Sequence, residues 1–252
     1  MRDILVLAAT PMEMRAIAEG LGIDSPLPQT PAGPSHQAHA GGRRFRLALT
    51  GVGPLAAAFT AGRLAGEGHL SPETCRGMLC LGIAGTYSPS AAPLGSVVTA
   101  TREVWPEYGL LTSSGIDSVA LGFPLSGKKT DTDPPPVWDS LDLDHAAFDA
   151  TGLNDPATAP HLPENPLAVS GVSITVAGVS GTSERAVDLA ARYAALTENM
   201  EGFPLALAAR RAAVPFVQVR AVSNIVGDRS PAAWNIPAAL AALARVAAVM
   251  TA

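Results

Sequence analysis

The chain has 252 residues, a net charge of −5 and a pI near 5.5. Its only lysines are Lys128 and Lys129, and it has no Lys/Arg block. This argues against a nucleic-acid partner, because phosphate binding needs a basic face. Hydrophobic residues make up 48% and mean hydropathy is +0.24, yet no unbroken apolar run reaches the roughly 18 residues of a membrane span. The run Ile4 to Ala9 is too short for a signal peptide. Cys75 and Cys80 form no disulfide or metal framework. They read as reduced core thiols, and the expectation is a cytoplasmic protein without metal or cofactor.

In chain order, Asp3 to Ala9 reads as a buried strand. Thr10 is a candidate N-cap, with Pro11 at the first helical position and Glu13 three residues after the cap, for a helix over Met12 to Gly20. Phe45 to Thr50 reads as a strand, Gly51-Val52-Gly53-Pro54 as a turn, and Leu55 to Gly66 as an Ala-rich helix. Met78 to Ile83 reads as a strand running into Ala84-Gly85-Thr86, followed by a strand over Ser96 to Ala100. Residues 105–165 are proline-rich and weakly periodic, and predict a long irregular excursion with a short helix near Asp144 to Ala150. Regular structure resumes with a strand over Val172 to Val179 and a helix over Glu184 to Tyr193, capped by Thr182 or Ser183. A helix over Met200 to Ala212, a strand over Phe216 to Val222 and a helix from about Pro237 to Met250 close the chain.

Alternating strands and helices imply α/β: one three-layer domain, a mostly parallel, mixed central sheet, and helices on both faces. Ligands in such folds sit at the carboxyl ends of strands. That directs attention to Thr10 to Glu13, Gly51 to Gly53, Ala84 to Thr86, Ser180 to Glu184 and Ser223 to Asp228.

Each of these has two readings. Gly51-x-Gly53-x-x-Ala56 has the outline of a dinucleotide turn, but it does not follow the first strand, and a tight strand-to-helix turn explains it equally. Glu13 is either half of a capping box or a general base acting on water. Glu201 opens a nearly all-apolar helix, where a buried carboxylate is costly unless something bonds to it; the paired hydroxyls of a ribose would do so. Ser223 and Asn224 at a strand end either build a turn or read a heterocycle edge, since a carboxamide offers one donor and one acceptor face. The histidines show no zinc spacing, and no G-x-S-x-G elbow supports a Ser-His-Asp hydrolase.

Together the motifs resemble the nucleoside phosphorylase and nucleosidase superfamily. ATPMEMRAI resembles its acid-bearing opening, LTGVGPLAAA its second strand and turn, and LGIAGTY its glycine-rich strand end. ENMEG resembles its Met-Glu signature, and RAVSNIVGD the strand end that recognises the base. Within the superfamily, Asn224 replaces an aspartate of the adenine-specific nucleosidases. TENMEGF with RAVSN-x-VGDR and Trp234-Asn235-Ile236 is similar to the futalosine hydrolases.

That resemblance implies release of hypoxanthine from futalosine in a route to menaquinone, without a cofactor, in a homodimer or larger homo-oligomer. It implies catalytic roles for Glu13, Glu201 and Asn224, and substrate contacts at Gly85, Thr182, Met200 and Ser223. An Asn amide suits a 6-oxopurine, because its NH₂ donates to O6 and its oxygen accepts from N7–H. Phosphorolysis is disfavoured because no arginine stands near Ile83 to Thr86 in the sequence. An adenosine-type nucleosidase, a phosphorylase, a non-catalytic nucleoside binder and an NAD-binding oxidoreductase are the alternatives.

Overall fold

A computed structural model describes residues 1–31, 33–128, 135–144 and 168–251. Its strands are β1 (Asp3–Ala8), β2 (His36–Ala40), β3 (Arg43–Leu49), β4 (Cys75–Thr86), β5 (Val97–Val104), β6 (Leu110–Thr112), β7 (Gly115–Asp117), β8 (Ser140–Asp142), β9 (Ala168–Thr175), β10 (Ala195–Asn199) and β11 (Phe216–Ile225). The helices are α1 (Pro11–Leu21), α2 (Pro54–Gly66), α3 (Ser183–Tyr193), α4 (Gly202–Arg211) and α5 (Ile236–Val249).

The main sheet is mixed and runs β10-β9-β5-β11-β4-β1-β3-β2. Parallel pairs join β1 to β3 and β4, β4 to β11, and β9 to both β5 and β10. Antiparallel pairs join β2 to β3, β5 to β11 and β5 to β8. β10 also bonds antiparallel to the end of β4, pairing Thr197 with Thr86 and Glu198 with Gly85. That second pairing closes β4, β11, β5, β9 and β10 into a ring.

Side chains alternate along β1, as a strand requires. Ile4, Val6 and Ala8 join a core with Met14 and Ile17 of α1 and Leu243 and Val246 of α5. Leu5 and Leu7 join another with Ala57 and Leu64 of α2 and Phe203 and Leu205 of α4.

Several sequence expectations shift. β9 ends at Thr175, so Val176 to Val179 lie beyond the strand. The segment Ala195–Asn199, between the two helices expected over Glu184 to Tyr193 and Met200 to Ala212, is the ring-closing strand β10. Helix α4 begins at Gly202 rather than Met200 and takes Glu201 as its N-cap. β11 runs on to Ile225, so Ser223 and Asn224 are strand residues and not a turn. The excursion at 105–165 holds the hairpin β6–β7, and its strand β8 extends the sheet at β5. The helix expected near Asp144 to Ala150 falls, apart from Asp144, outside the described residues.

Candidate active site

A cavity of about 290 Å³ opens where the ends of β1, β4, β10 and β11 converge. It is lined by Glu13, Gly85, Met200, Glu201, Ser223 and Asn224 among others. Six of the seven residues expected from the sequence thus share one cavity. Thr182 is not in its lining; it is exposed and N-caps α3, accepting from the Arg185 amide at 3.3 Å.

Glu13 arrives by way of a capping box. Thr10 accepts from the Glu13 amide, and the Thr10 amide and hydroxyl donate back to Glu13 Oε2 at 2.9 and 2.7 Å. Glu13 Oε1 accepts from the Ile83 amide of β4 at 2.9 Å. The carboxyl is buried, and burial raises its pKa, against the lowering effect of these donors. Glu13 is therefore both half of a capping box and part of the cavity lining, because the box turns the carboxyl toward the end of β4.

Glu201 is buried between a backbone amide and a guanidinium. Oε1 accepts from the Gly53 amide at 3.2 Å, and Oε2 from Arg220 Nη1 at 3.2 Å. Gly53 has φ 100°, a region that favours glycine. The Gly51–Gly53 turn, with the outline of a dinucleotide fingerprint, thus aims its amide at an internal carboxylate.

Arg220 was not among the expected site residues, and it corrects one inference. No arginine neighbours Ile83 in sequence, but Arg220 Nη1 lies 3.4 Å from the Ile83 carbonyl. It reaches there across the β4–β11 pair, where Arg220 stands beside Gly82. A Cβ on Gly82 would lie 2.6 Å from Arg220 Nη1 and 2.9 Å from Glu13 Oε1. The missing side chain at Gly82 therefore makes the room in which the acid and the guanidinium meet. Burial works against the Arg220 cation, but the Cys80 sulfur and the carboxylates of Glu201, Glu13 and Glu103 outweigh it and hold its pKa above the ordinary value. The sequence did carry a signal, since an arginine amid the apolar strand FVQVRAV must find partners.

Asn199, also missed, is a hub. Its Oδ1 accepts from the Glu201 amide at 2.9 Å, the Gly202 amide at 2.7 Å and Arg220 Nη2 at 3.1 Å. This fixes the first turn of α4 and so the backbone that carries Glu201. Glu198 lines the cavity too, and its carboxylate is held by the Ser180 amide at 2.9 Å, the Ser180 hydroxyl at 2.5 Å and the Tyr87 hydroxyl at 2.7 Å.

At the other end, a register shift between Val222 and Asn224 displaces Ser223 and sets Asn224 opposite Gly85. A Cβ on Gly85 would come within 2.9 Å of Asn224 Nδ2. The Asn224 amide accepts from the Ser223 hydroxyl at 2.9 Å and donates to the Ile225 carbonyl at 3.3 Å. At the exposed rim, the Arg229 guanidinium sits 5.1 Å over the Trp234 ring. Among the described residues, no group of three His, Cys, Asp or Glu is arranged to hold a metal ion.

The chain matches the phosphorylase superfamily over residues 3–252. It is 35% identical over 243 residues to a futalosine hydrolase of Streptomyces coelicolor, covering 95% of this chain and 91% of that one. A futalosine hydrolase of Acidothermus cellulolyticus is 33% identical over 239 residues, covering 94% and 85%. In structure, a futalosine hydrolase mutant of Helicobacter pylori superposes with a TM-score of 0.74 at 16% identity, over 99% of this chain and 98% of that one. A cavity built at converging strand ends, on a chain matched over nearly its whole length, thus places this protein in the phosphorylase superfamily and, within it, in the futalosine hydrolase family.

Proposed function

We propose that this protein hydrolyses the N-glycosidic bond of futalosine, releasing hypoxanthine and leaving the free sugar product, dehypoxanthine futalosine, in the futalosine route to menaquinone. The observation that carries this reading is the shared cavity, whose lining holds the buried carboxyls of Glu13 and Glu201 together with the carboxamide of Asn224. The glycosidic bond breaks through an oxocarbenium-like state, by analogy with glycoside hydrolysis. Glu201 binds the ribose hydroxyls and stabilises the positive sugar, with Met200 packed beside it. Asn224, supported by Ser223 and by the space at Gly85, holds O6 and N7–H of the departing base. Glu13, whose pKa burial raises, orients a water and takes its proton as it attacks C1′.

Water rather than phosphate is favoured as the acceptor. Phosphate needs uncommitted cationic donors, and the Arg220 fork is already bonded to Glu201, Asn199 and the Ile83 carbonyl. The test is incubation with futalosine, with and without phosphate, following hypoxanthine by chromatography. Equal release in both, with a free hemiacetal sugar, is expected. A sugar 1-phosphate would overturn hydrolysis, and release of adenine alone from a nucleoside panel would favour an adenosine-type nucleosidase.

The same reading extends to the whole chain. Alternate residues of β1 packing into two different helix-bearing cores support a three-layer single domain with helices on both sheet faces. Val52, Leu55 and Phe59 are 60%, 85% and 64% exposed. They lie three and four residues apart, Val52 in the turn before α2 and Leu55 and Phe59 in its first turns, and Val52 also lines the cavity. Such a patch beside the cavity supports a homodimer or larger homo-oligomer. Buried free Cys75 and Cys80 suit a cytoplasmic location.

A further inference from the structure

Behind the cavity lies a buried carboxyl that the reaction as described does not use. Glu103 of β5 is fully buried, and its neighbours come from three strands. Its Oε2 accepts from the Thr175 hydroxyl of β9 at 2.6 Å. Its Oε1 accepts from Asn199 Nδ2 of β10 at 3.1 Å and from Gln218 Nε2 of β11.

Both of those carboxamides continue in the same direction. Asn199 Oδ1 lies 3.1 Å from Arg220 Nη2, and Gln218 Oε1 lies 3.5 Å from the same nitrogen. Glu103 and Arg220 are thus joined through two amides. Each gives its NH₂ to the acid and turns its oxygen to the guanidinium. The order is dictated by hydrogen-bond chemistry, since a guanidinium has only donors and a carboxylate only acceptors. Were the Asn199 amide reversed, its NH₂ would face Arg220 and the Glu201 and Gly202 amides, all of them donors. α4 is cut to fit this arrangement. A Cβ on Gly202 would lie 2.1 Å from Gln218 Oε1 and 2.5 Å from Glu103 Oε1.

We propose that Glu103 is a positioning residue of this enzyme: through the Asn199 and Gln218 amides it orients the Arg220 guanidinium and the first turn of α4, and so sets the Glu201 carboxylate for the ribose. The proposal rests on the role assigned to Glu201 above. Glu103 touches no substrate. Its influence travels along hydrogen bonds that a low-dielectric interior strengthens.

The ionisation of Glu103 is then coupled to the site. Burial pushes its pKa up to about 7, against the lowering effect of Thr175, Arg220, Ser173 and Gln218. Arg220 on β11 is the charged group it faces; that guanidinium also meets the Cys80 sulfur through Nη2 and the Glu201 carboxylate through Nη1, and feels the charge of Glu13. Thr175 and Ser173 of β9 and Asn199 of β10 present only neutral groups. Below that range a protonated Glu103 holds one acceptor fewer for its three donors, and the amides lose their fixed order.

The test compares wild type, Glu103→Gln and Glu103→Asp. Carboxyl infrared titration of the substrate-free protein comes first. A buried C=O band titrating near pH 7 is expected in wild type and absent in Glu103→Gln. Futalosine kinetics against pH follow. Glu103→Gln is expected to lower kcat about 10²-fold, the scale that misplacing a reacting group by an ångström produces, and to take the Glu103 step near pH 7 out of the acid limb, leaving the ionisation of the base Glu13 in it. Glu103→Asp should recover part of kcat. A Glu103→Gln variant that folds and keeps the wild-type kcat and pH profile would overturn the proposal, as would a wild type lacking the titrating band. If wild type releases no hypoxanthine, the substrate reading fails separately, while the infrared result still decides whether Glu103 titrates.

Discussion

Arg220 Nη1 stands 3.2 Å from Glu201 Oε2, and both side chains are almost wholly buried. A pair removed from water in this way is a poor source of net stability but a costly one to break. Among the described residues, the Glu201 carboxyl has one other donor, the Gly53 amide. Replacing Arg220 with Met should therefore destabilise the fold by about 3–5 kcal/mol, since an unpaired carboxylate is left inside. Urea denaturation of the two proteins measures this. A loss below 1 kcal/mol would mean that Glu201 is relieved some other way.

Glu13→Gln and Glu201→Gln should separate in their kinetics. Each is expected to lower kcat by at least about 10²-fold, in the range of a lost acid–base group. Glu13→Gln should leave KM for futalosine near wild type, because its proposed partner is the water. Glu201→Gln should raise KM as well, because its partners are the ribose hydroxyls. Near-normal turnover in Glu13→Gln would reduce Glu13 to its capping box with Thr10.

Asn224 should set the choice of base. An unmatched buried polar contact costs about 1–3 kcal/mol, or roughly 5- to 150-fold in discrimination at room temperature. Wild type should favour futalosine over aminofutalosine in kcat/KM, and Asn224→Asp should narrow or invert the ratio. Equal selectivity in the two proteins would make Asn224 a residue that only braces the end of β11.

Stability should fall as pH rises from about 5 to 7, in part because of Glu103. Its folded pKa, about 7, stands above its ordinary value of 4.5. The folded protein therefore binds a proton that the unfolded chain has released, and that contribution, complete below 4.5, is lost as pH rises through 7. Glu13, also raised by burial, acts in the same direction. His69, lowered by burial, opposes them in every variant and cancels when proteins are compared. Denaturation midpoints should decline less between pH 5 and 7 in Glu103→Gln than in wild type. Parallel slopes would contradict the raised pKa.

Gly202→Ala tests the packing behind the cavity. A methyl there meets the Gln218 oxygen and the Glu103 carboxyl at distances no Cβ tolerates, and overpacking typically costs about 1–3 kcal/mol. Ala has the better helix propensity, so a surface-like glycine would gain stability from the change. A lower melting temperature is the expected result, and a higher one would show that α4 has room to shift.

Much of this was legible in the chain itself. Local chemistry writes the capping box at Thr10 and Glu13, the apolar runs of β1, β3, β4 and β11, and the helices that follow β1, β3 and β11. These depend on neighbours within a few residues. The motifs at Glu13, Gly85 and Asn224 could be read because strand ends are visible in sequence and ligands gather there in parallel sheets, and Glu201 because an acid opening an apolar helix must find a partner. Closure of the ring was not legible. β10 is only five residues long, carries no clear alternation, and forms because β9 and the end of β4 offer it bonding edges on both sides. Nor could local reading see that Arg220 fills the space left by Gly82, or that Glu103, Asn199 and Gln218 meet from β5, β10 and β11. Buried polar groups must find partners, but which partners they find is decided by strand order and register, and those are settled only when the whole sheet assembles.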